Sequence, residues 1–174
     1  MSRKAGRGNM WTTRGLGTLA AMALVLFLGT VAEAQLAKQG TYSSHFGWYA
    51  VGKTFELEKD HVLFVGEFNG AVFNDTGSGF MHGTSWVCPG MNDLLKGIST
   101  ASQGYCVVTD KDGDKAFLAW KGRKNTEPNK VAGDYQWTGG TGKYTGLKGN
   151  NTFDAVFVLP TSGYSILKGE WQLP

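Results

Sequence analysis

The chain has 174 residues, of which 17 are Lys or Arg and 14 are Asp or Glu. That length suits one domain with a substantial core. Four of the basic residues, and Glu33, precede residue 35, so the remainder is formally neutral. A neutral domain lacks the broad basic surface that nucleic acid requires, and we expect no nucleic-acid partner.

The first 34 residues predict a secretory signal peptide. Basic residues from Arg3 to Arg14 precede the apolar run "LGTLAAMALVLFLGTVA", which ends in an Ala-Glu-Ala pattern at residue 34. A basic start, an apolar middle and a small-residue ending are typical of a leader that is removed on export. The alternative is an uncleaved anchor, although the run is short for a span of about 20 residues. We therefore expect a signal peptide at 1–34 and one periplasmic or secreted domain at 35–174, which meets the membrane only through its leader.

From about residue 40, bursts of Val, Thr, Phe, Tyr and Trp alternate with glycine-marked turns, which is typical of strands. Only "GMNDLLKGIS" suits a short helix. The predicted strands are, in chain order, HFGWYAV, KTFELE, HVLFVGEF, GAVFND, FMHGTSWVC, GYCVVTD, KAFLAWKG, GDYQWTG, NNTFDAVFVLP and YSILKGEWQL. So many short strands favour an all-β barrel or sandwich, and a barrel has the advantage of leaving no unpaired edge.

Glu67 and His82 are the candidate polar groups of a lumen. "FMHGTSWVC" alternates, so Phe80, His82, Thr84 and Trp86 are expected on one face. If that face lines a lumen, His82 is suited to ligand orientation or proton transfer; the alternative is an exposed or structural histidine. A buried Glu67 would have a raised pKa and could act as an acid or base, whereas an outward Glu67 would be solvated.

Cys88 and Cys106 are the two cysteines of the chain. In an oxidising compartment such a pair usually forms a disulfide. Closing a loop of about 18 residues stabilises a fold by about 3 kcal/mol. A metal or redox pair is the alternative, but the spacing matches no C-x-x-C pattern.

The hairpin "TDKDGDK" places Asp110, Asp112 and Asp114 at alternate positions, like the start of a calcium loop. The rest of that pattern fails, because Gly113 precedes the third aspartate and Lys121 stands where an EF-hand has Glu. The histidines also lack zinc-site spacing. We expect no metal, and the three aspartates are the only weak candidates.

The run "YQWTGGTGKYTGLKGNNTFDAV" at 135–156 poses a choice between a phosphate loop and sheet architecture. Phosphate and dinucleotide loops need a helix after their glycines. Here a β-branched and aromatic stretch follows, so the glycines are interpreted as the bends with which a small barrel closes, and no cofactor is expected.

Within this run, "GGTGKYTGLKG" resembles the segment shared by dirigent proteins and allene oxide cyclase-like barrels. There a Gly-Gly-(Thr/Ser)-Gly run, an aromatic residue and further glycines precede the closing strands. The resemblance implies an exported bacterial member with a single antiparallel barrel of about eight strands, an apolar lumen and the capacity to form oligomers. The catalytic residues of the plant enzymes lie outside this segment, so catalytic residues stay unassigned.

These patterns lead to one function hypothesis with two alternatives. The barrel is expected to bind a small hydrophobic molecule in its lumen, and whether it is an enzyme stays open. The alternatives are a cofactor-free cyclase or isomerase that folds a reactive hydrophobic intermediate, and a structural envelope protein with a filled barrel. A lumen of about 300 Å³ or more would favour binding or catalysis. The candidate ligand-binding residues are His82, Trp86, Glu67, Trp48 and Tyr135.

Overall fold

The computed structural model describes residues 37–174, and the predicted signal peptide lies outside them. Eight strands form a closed antiparallel barrel, in which each strand pairs with the next and the last pairs with the first. Their bounds are β1 Gln39–Glu58, β2 His61–Asn74, β3 Thr84–Leu95, β4 Ile98–Thr109, β5 Lys115–Gly122, β6 Lys130–Gly140, β7 Gly149–Leu159 and β8 Ser162–Gln172. The predicted all-β antiparallel barrel is therefore confirmed.

Two pairs of predicted strands merge, because the glycines within them do not interrupt the strands. HFGWYAV and KTFELE form β1, and HVLFVGEF and GAVFND form β2. Gly52 lies opposite Gly66 where β1 pairs with β2. A Cβ on Gly52 would lie 2.7 Å from the Cα of Gly66, so the two strands approach more closely than larger residues allow. The two glycines thus mark a close contact between two long strands.

The short helix predicted at "GMNDLLKGIS" is wrong. These residues form the end of β3, a two-residue tip at Lys96 and Gly97, and the start of β4. Both tip residues have positive φ, 54° and 76°, which suits a tight hairpin turn. The only helix among residues 37–174 is a 3₁₀ turn at Gly142–Tyr144, and no described helix has the length and apolar character to span a bilayer.

One end of the barrel is closed by an aromatic plug. Phe80, from the β2–β3 loop, stacks on Trp171 with ring centroids 4.5 Å apart and meets the edge of Trp137 at 5.6 Å. Tyr144 and Leu147, from the glycine-rich segment between β6 and β7, are buried in the same cluster. The plug thus combines two loops with the last residues of β6 and β8.

At the other end, the β1–β2 and β3–β4 hairpins extend beyond the rest of the barrel. β1 pairs with β2 as far as Glu58, but its register with β8 ends at Tyr49. The hairpin tips are joined because His61 Nε2 lies 2.9 Å from Asp93 Oδ1. The four strands therefore form a projecting sheet on one side of the open end.

The predicted disulfide between Cys88 and Cys106 is present, with the sulfurs 2.02 Å apart. It joins β3 to β4, and both cysteines are buried in the barrel wall. The bond therefore crosslinks two neighbouring strands on the lumen side.

Candidate functional site

An apolar cavity of about 80 Å³ lies inside the barrel. Its walls include the rings of Trp48, Trp86, Tyr135 and Phe153, together with the Cys88–Cys106 disulfide. No charged side chain is among the described residues that line it. Because transferring a charge from water into such a site is very costly, the cavity is suited to an uncharged occupant.

Aromatic side chains also narrow the cavity. Trp48 meets the ring of Phe157 at 4.8 Å and that of Phe68 at 5.5 Å, both edge to face. The ring centroid of Phe68 in turn lies 6.1 Å from that of Trp120. Phe68, Trp120 and Phe157 are only partly buried. Trp120 packs over Gly90 and Gly104, where a Cβ would contact its ring. The lumen is thus filled mainly by aromatic rings, with a small space left between them.

Three small polar side chains interrupt this apolar lining. Asn92 on β3 and Ser102 on β4 lie opposite each other in register. Ser99 donates a hydrogen bond to Asn92 Oδ1 at 2.6 Å, whereas the buried Oγ of Ser102 has no partner within the described part of the chain. On another wall, Trp48 donates to Ser165 Oγ at 3.0 Å. Ser102 is thus a buried polar group available to a ligand.

A polar layer separates the cavity from the plug. The hydroxyl groups of Tyr42 and Tyr135 are hydrogen bonded to each other. Burial raises the pKa of both tyrosines, so both hydroxyls stay protonated at neutral pH. Asn151 lies opposite Tyr135, is buried, and finds no hydrogen-bond partner for either side-chain amide atom among residues 37–174. The layer offers hydrogen bonds and no charge.

The structure brings three of the five candidate binding residues together. Trp48, Trp86 and Tyr135 all line the cavity. Glu67 instead lies exposed on the outer face of β2. His82 is exposed in the β2–β3 loop, with its ring 5.9 Å from that of Phe73.

The predicted lumen position of His82 is wrong for a local reason. Alternation predicts a shared face only within a strand, and β3 begins at Thr84. Met81 and Gly83 have positive φ, 61° and 69°, so the chain turns on each side of His82. Thr84 and Trp86 do point inward, as alternation predicts.

The three aspartates of the β4–β5 hairpin are engaged by a lysine. Lys143 Nζ lies 2.6 Å from Oδ2 of Asp110 and 2.6 Å from Oδ2 of Asp112. Asp114 Oδ2 accepts a hydrogen bond of 3.1 Å from the backbone N–H of Lys143. Hydrogen bonds from Lys111 and Lys143 lower the pKa of Asp112 to about 2. Across residues 37–174, no group of three or more His, Cys, Asp or Glu side chains is arranged to hold a metal ion.

Sequence reasoning missed Asn92 and Ser102 as lining residues. A signal existed, because Cys88, Gly90 and Asn92 alternate, and so do Ser102, Gly104 and Cys106. Extending the period-two pattern outward from each cysteine places the two polar side chains on the cysteine face. The helix predicted at "GMNDLLKGIS" includes Asn92 and therefore hid this pattern.

No family model matches the chain, and no curated protein matches it. Among solved structures, it is similar to the pterocarpan synthase dirigent protein GePTS1, with a TM-score of 0.46 and 8% sequence identity. The alignment covers 86% of this chain and 99% of that chain. The strand pairing of this chain itself establishes the closed barrel.

Proposed function

We propose that the barrel binds a small, uncharged, mainly apolar molecule in its lumen. The observation that carries this proposal is the apolar cavity with Ser102 Oγ buried and unpartnered among the described residues. A buried hydroxyl without a partner costs about 1–3 kcal/mol, and a ligand oxygen would recover that cost. Asn92, directly across from Ser102, is placed to share the same ligand atom.

The volume restricts the ligand. The cavity of about 80 Å³ is well below the roughly 300 Å³ expected of a preformed binding lumen, so the proposal requires the lumen to open. It is also about half the size of a dry apolar cavity of about 150 Å³ that binds benzene. A six-membered ring therefore requires one wall to move. Trp120 is the side chain placed to do so, because it is only partly buried where it borders the cavity.

Binding accounts for the geometry better than acid–base catalysis does. Proton transfer at neutral pH is usually carried out by His, Asp, Glu or Lys, and none of these is among the described residues that line the cavity. Tyr135 is present, but burial raises its pKa and its hydroxyl is already bonded to Tyr42. The proposed function is thus ligand binding without an assigned reaction.

Export and membership of the dirigent and allene oxide cyclase-like barrels belong to this proposal as well. The disulfide supports export, because such bonds persist in oxidising compartments. The segment "GGTGKYTGLKG" supports the family assignment, since it joins β6 to β7 through the loop that helps close one barrel end.

The test is a titration followed by tryptophan fluorescence and calorimetry. Benzyl alcohol and benzoate have similar size, but only the second is charged. We expect benzyl alcohol to bind and benzoate not to bind, because of the cost of desolvating a carboxylate. Ser102→Ala should weaken the binding about fivefold, as expected for one lost hydrogen bond.

A matched pair of substitutions locates the binding. Ala155→Phe fills the cavity from β7, whereas Ala101→Phe adds the same bulk at an exposed position. Binding should disappear in the first variant and persist in the second. If neutral apolar ligands leave the fluorescence unchanged, and native mass spectrometry finds no retained molecule, the barrel is a filled structural element instead.

A further inference from the structure

A second concave surface lies on the outside of the barrel, across strands β2 to β6, and we call it the outer groove. Its volume is about 1010 Å³, far larger than that of the lumen cavity. Gly66, Gly90 and Gly104 oppose one another in register along its floor. A Cβ on Gly90 or Gly104 would lie 2.4 or 2.6 Å from the ring of Trp120. Because these glycines have no side chain, the wall comes close to that ring inside the barrel, and the outer surface recedes along this row.

Two rows of outward side chains form the walls of the outer groove. They flank the glycines because the neighbours of an inward residue point outward. One wall follows the printed register from strand to strand through Val65, Met91, Gln103, Lys121 and Asp134. The other wall consists of Glu67, Pro89, Tyr105, Ala119 and Gln136. The outer groove therefore runs across five neighbouring strands between two mixed walls.

Tyr105 stands at the centre of the second wall and is 67% exposed. Ala119 lies opposite it on β5. On β3 its neighbour is Pro89, because Val87 lies opposite Val107 and Gly90 opposite Gly104. Both adjacent side chains are short, which leaves the tyrosine ring uncovered. A tyrosine combines an apolar ring with a hydroxyl group, and such side chains are frequent anchors of binding surfaces.

The charged side chains of the outer groove balance one another. Glu67 and Asp134 are acidic, whereas Lys121 and Arg123 are basic, so the described lining residues carry no net charge. Arg123 Nη1 also donates a hydrogen bond of 3.0 Å to Asp134 Oδ1. A nucleic acid requires a basic surface, and a lipid chain would bury these polar groups without partners. The groove is therefore suited to a ligand that is polar and uncharged.

We propose that the outer groove binds a neutral polysaccharide. Sugar rings have apolar C–H faces, which can stack on Tyr105, and hydroxyl groups that both donate and accept hydrogen bonds. Gln103 and Gln136 place one amide in each wall, and an amide likewise donates and accepts. The outer strand face of a small barrel also binds oligosaccharides in other folds, such as the OB-fold. This site is separate from the lumen, whose cavity of about 80 Å³ cannot hold a chain of sugar rings.

The expected binding is weak. The groove is open, so a bound chain stays partly hydrated and gains less than it would in an enclosed pocket. We expect a dissociation constant of about 0.1–1 mM for a short oligosaccharide.

The first experiment is an NMR titration of the protein with cellohexaose, chitohexaose and maltohexaose. Hexagalacturonate, which has the same number of rings but a carboxylate on each, is the charged control. We expect at least one neutral chain to bind, and hexagalacturonate to bind at least about tenfold more weakly, since its carboxylates lose hydration in a groove without net positive charge. Failure of all three neutral chains, or stronger binding of hexagalacturonate, would overturn the proposal.

Substitutions at tyrosines locate the binding. Tyr105→Ala should weaken it about fivefold or more, whereas Tyr105→Phe keeps the ring and should retain the affinity within about twofold. Tyr49→Ala is the matched control, because Tyr49 is 56% exposed on β1 and lies outside the groove. The melting temperatures of the variants check that each is folded. Undiminished binding in Tyr105→Ala, or an equal loss in Tyr49→Ala, contradicts a site in the outer groove.

Discussion

The ammonium group of Lys143 lies 2.6 Å from the carboxylate of Asp110, whose side chain is only 6% exposed. Asp110 belongs to the β4–β5 hairpin, whereas Lys143 belongs to the 3₁₀ turn and precedes the buried plug residue Tyr144. The ion pair therefore fastens the glycine-rich segment to a neighbouring hairpin at the closed end.

Lys143→Met should destabilise the fold, because it removes the charge that compensates Asp110 and keeps the aliphatic stem. Loss of one partner of a fully buried pair costs about 3–5 kcal/mol, but Lys143 is 37% exposed and solvent screens the pair. We expect a loss of about 1–2 kcal/mol in urea unfolding. Lys148→Met, at an exposed position nearby, should change the stability by less than about 0.5 kcal/mol. Equal losses in both variants would show that the pair contributes nothing.

The same contacts predict a loss of stability in acid. Hydrogen bonds from Lys111 and Lys143 lower the pKa of Asp112 from 3.8 to about 2. Burial is the largest single effect on Asp110 and acts to raise its pKa, but the contact with Lys143 and the hydrogen bond from the backbone N–H of Asp112 together outweigh it, so the pKa is lowered. A lowered pKa gives stability that is complete above the unfolded value and disappears as the pH falls through the folded value. The melting temperature should therefore fall between about pH 4 and pH 2, and it should fall less in Lys143→Met.

Gly104→Ala should disturb the cavity wall. A Cβ at this position would meet the carbonyl oxygen of Pro89 and the ring of Trp120. We expect a loss of about 1–3 kcal/mol, as in other overpacked sites, and a change in the near-ultraviolet circular dichroism of the tryptophans. Gly47→Ala is the matched control, because no atom lies within 4 Å of its added Cβ. Unchanged stability together with an unchanged spectrum in Gly104→Ala would contradict the close contact between Gly104 and Trp120.

The disulfide is expected to contribute about 2–4 kcal/mol, mostly by restricting the unfolded chain. The double variant Cys88→Ala/Cys106→Ala should therefore unfold at a lower urea concentration than the unaltered protein. A reductant should lower the midpoint of the unaltered protein and leave that of the double variant unchanged. If the reductant shifts both midpoints equally, its effect does not act through this bond.

The sequence predicts the barrel well where one face of a strand differs clearly from the other. In β6, Asp134, Gln136 and Thr138 alternate with Tyr135 and Trp137, and the structure exposes the polar residues and buries the aromatic ones. The disulfide is equally predictable, since two cysteines in a domain that the sequence predicts to be exported have few other partners.

Glu67 marks the place where such reasoning stops. Val65, two residues before it, is exposed and apolar, while Phe64 and Phe68 lie on the inner face of the same strand. With apolar residues on both faces, periodicity cannot decide which face is the lumen. β2 also belongs to the projecting sheet, and the sequence contains no local signal for that projection.

Closure of the barrel by β1 and β8 bears on how the chain folds. Gln39 pairs with Gln172, so the contact that completes the ring joins opposite ends of the described chain. Folding rates decrease as contacts become more distant in sequence, because the entropy of loop closure must be overcome first. The first seven strands can form a meander in sequence order, but the ring cannot close until β8 has been synthesised. Until then, the whole of β1 has an unpaired edge, and the nascent chain is most exposed to aggregation during that interval.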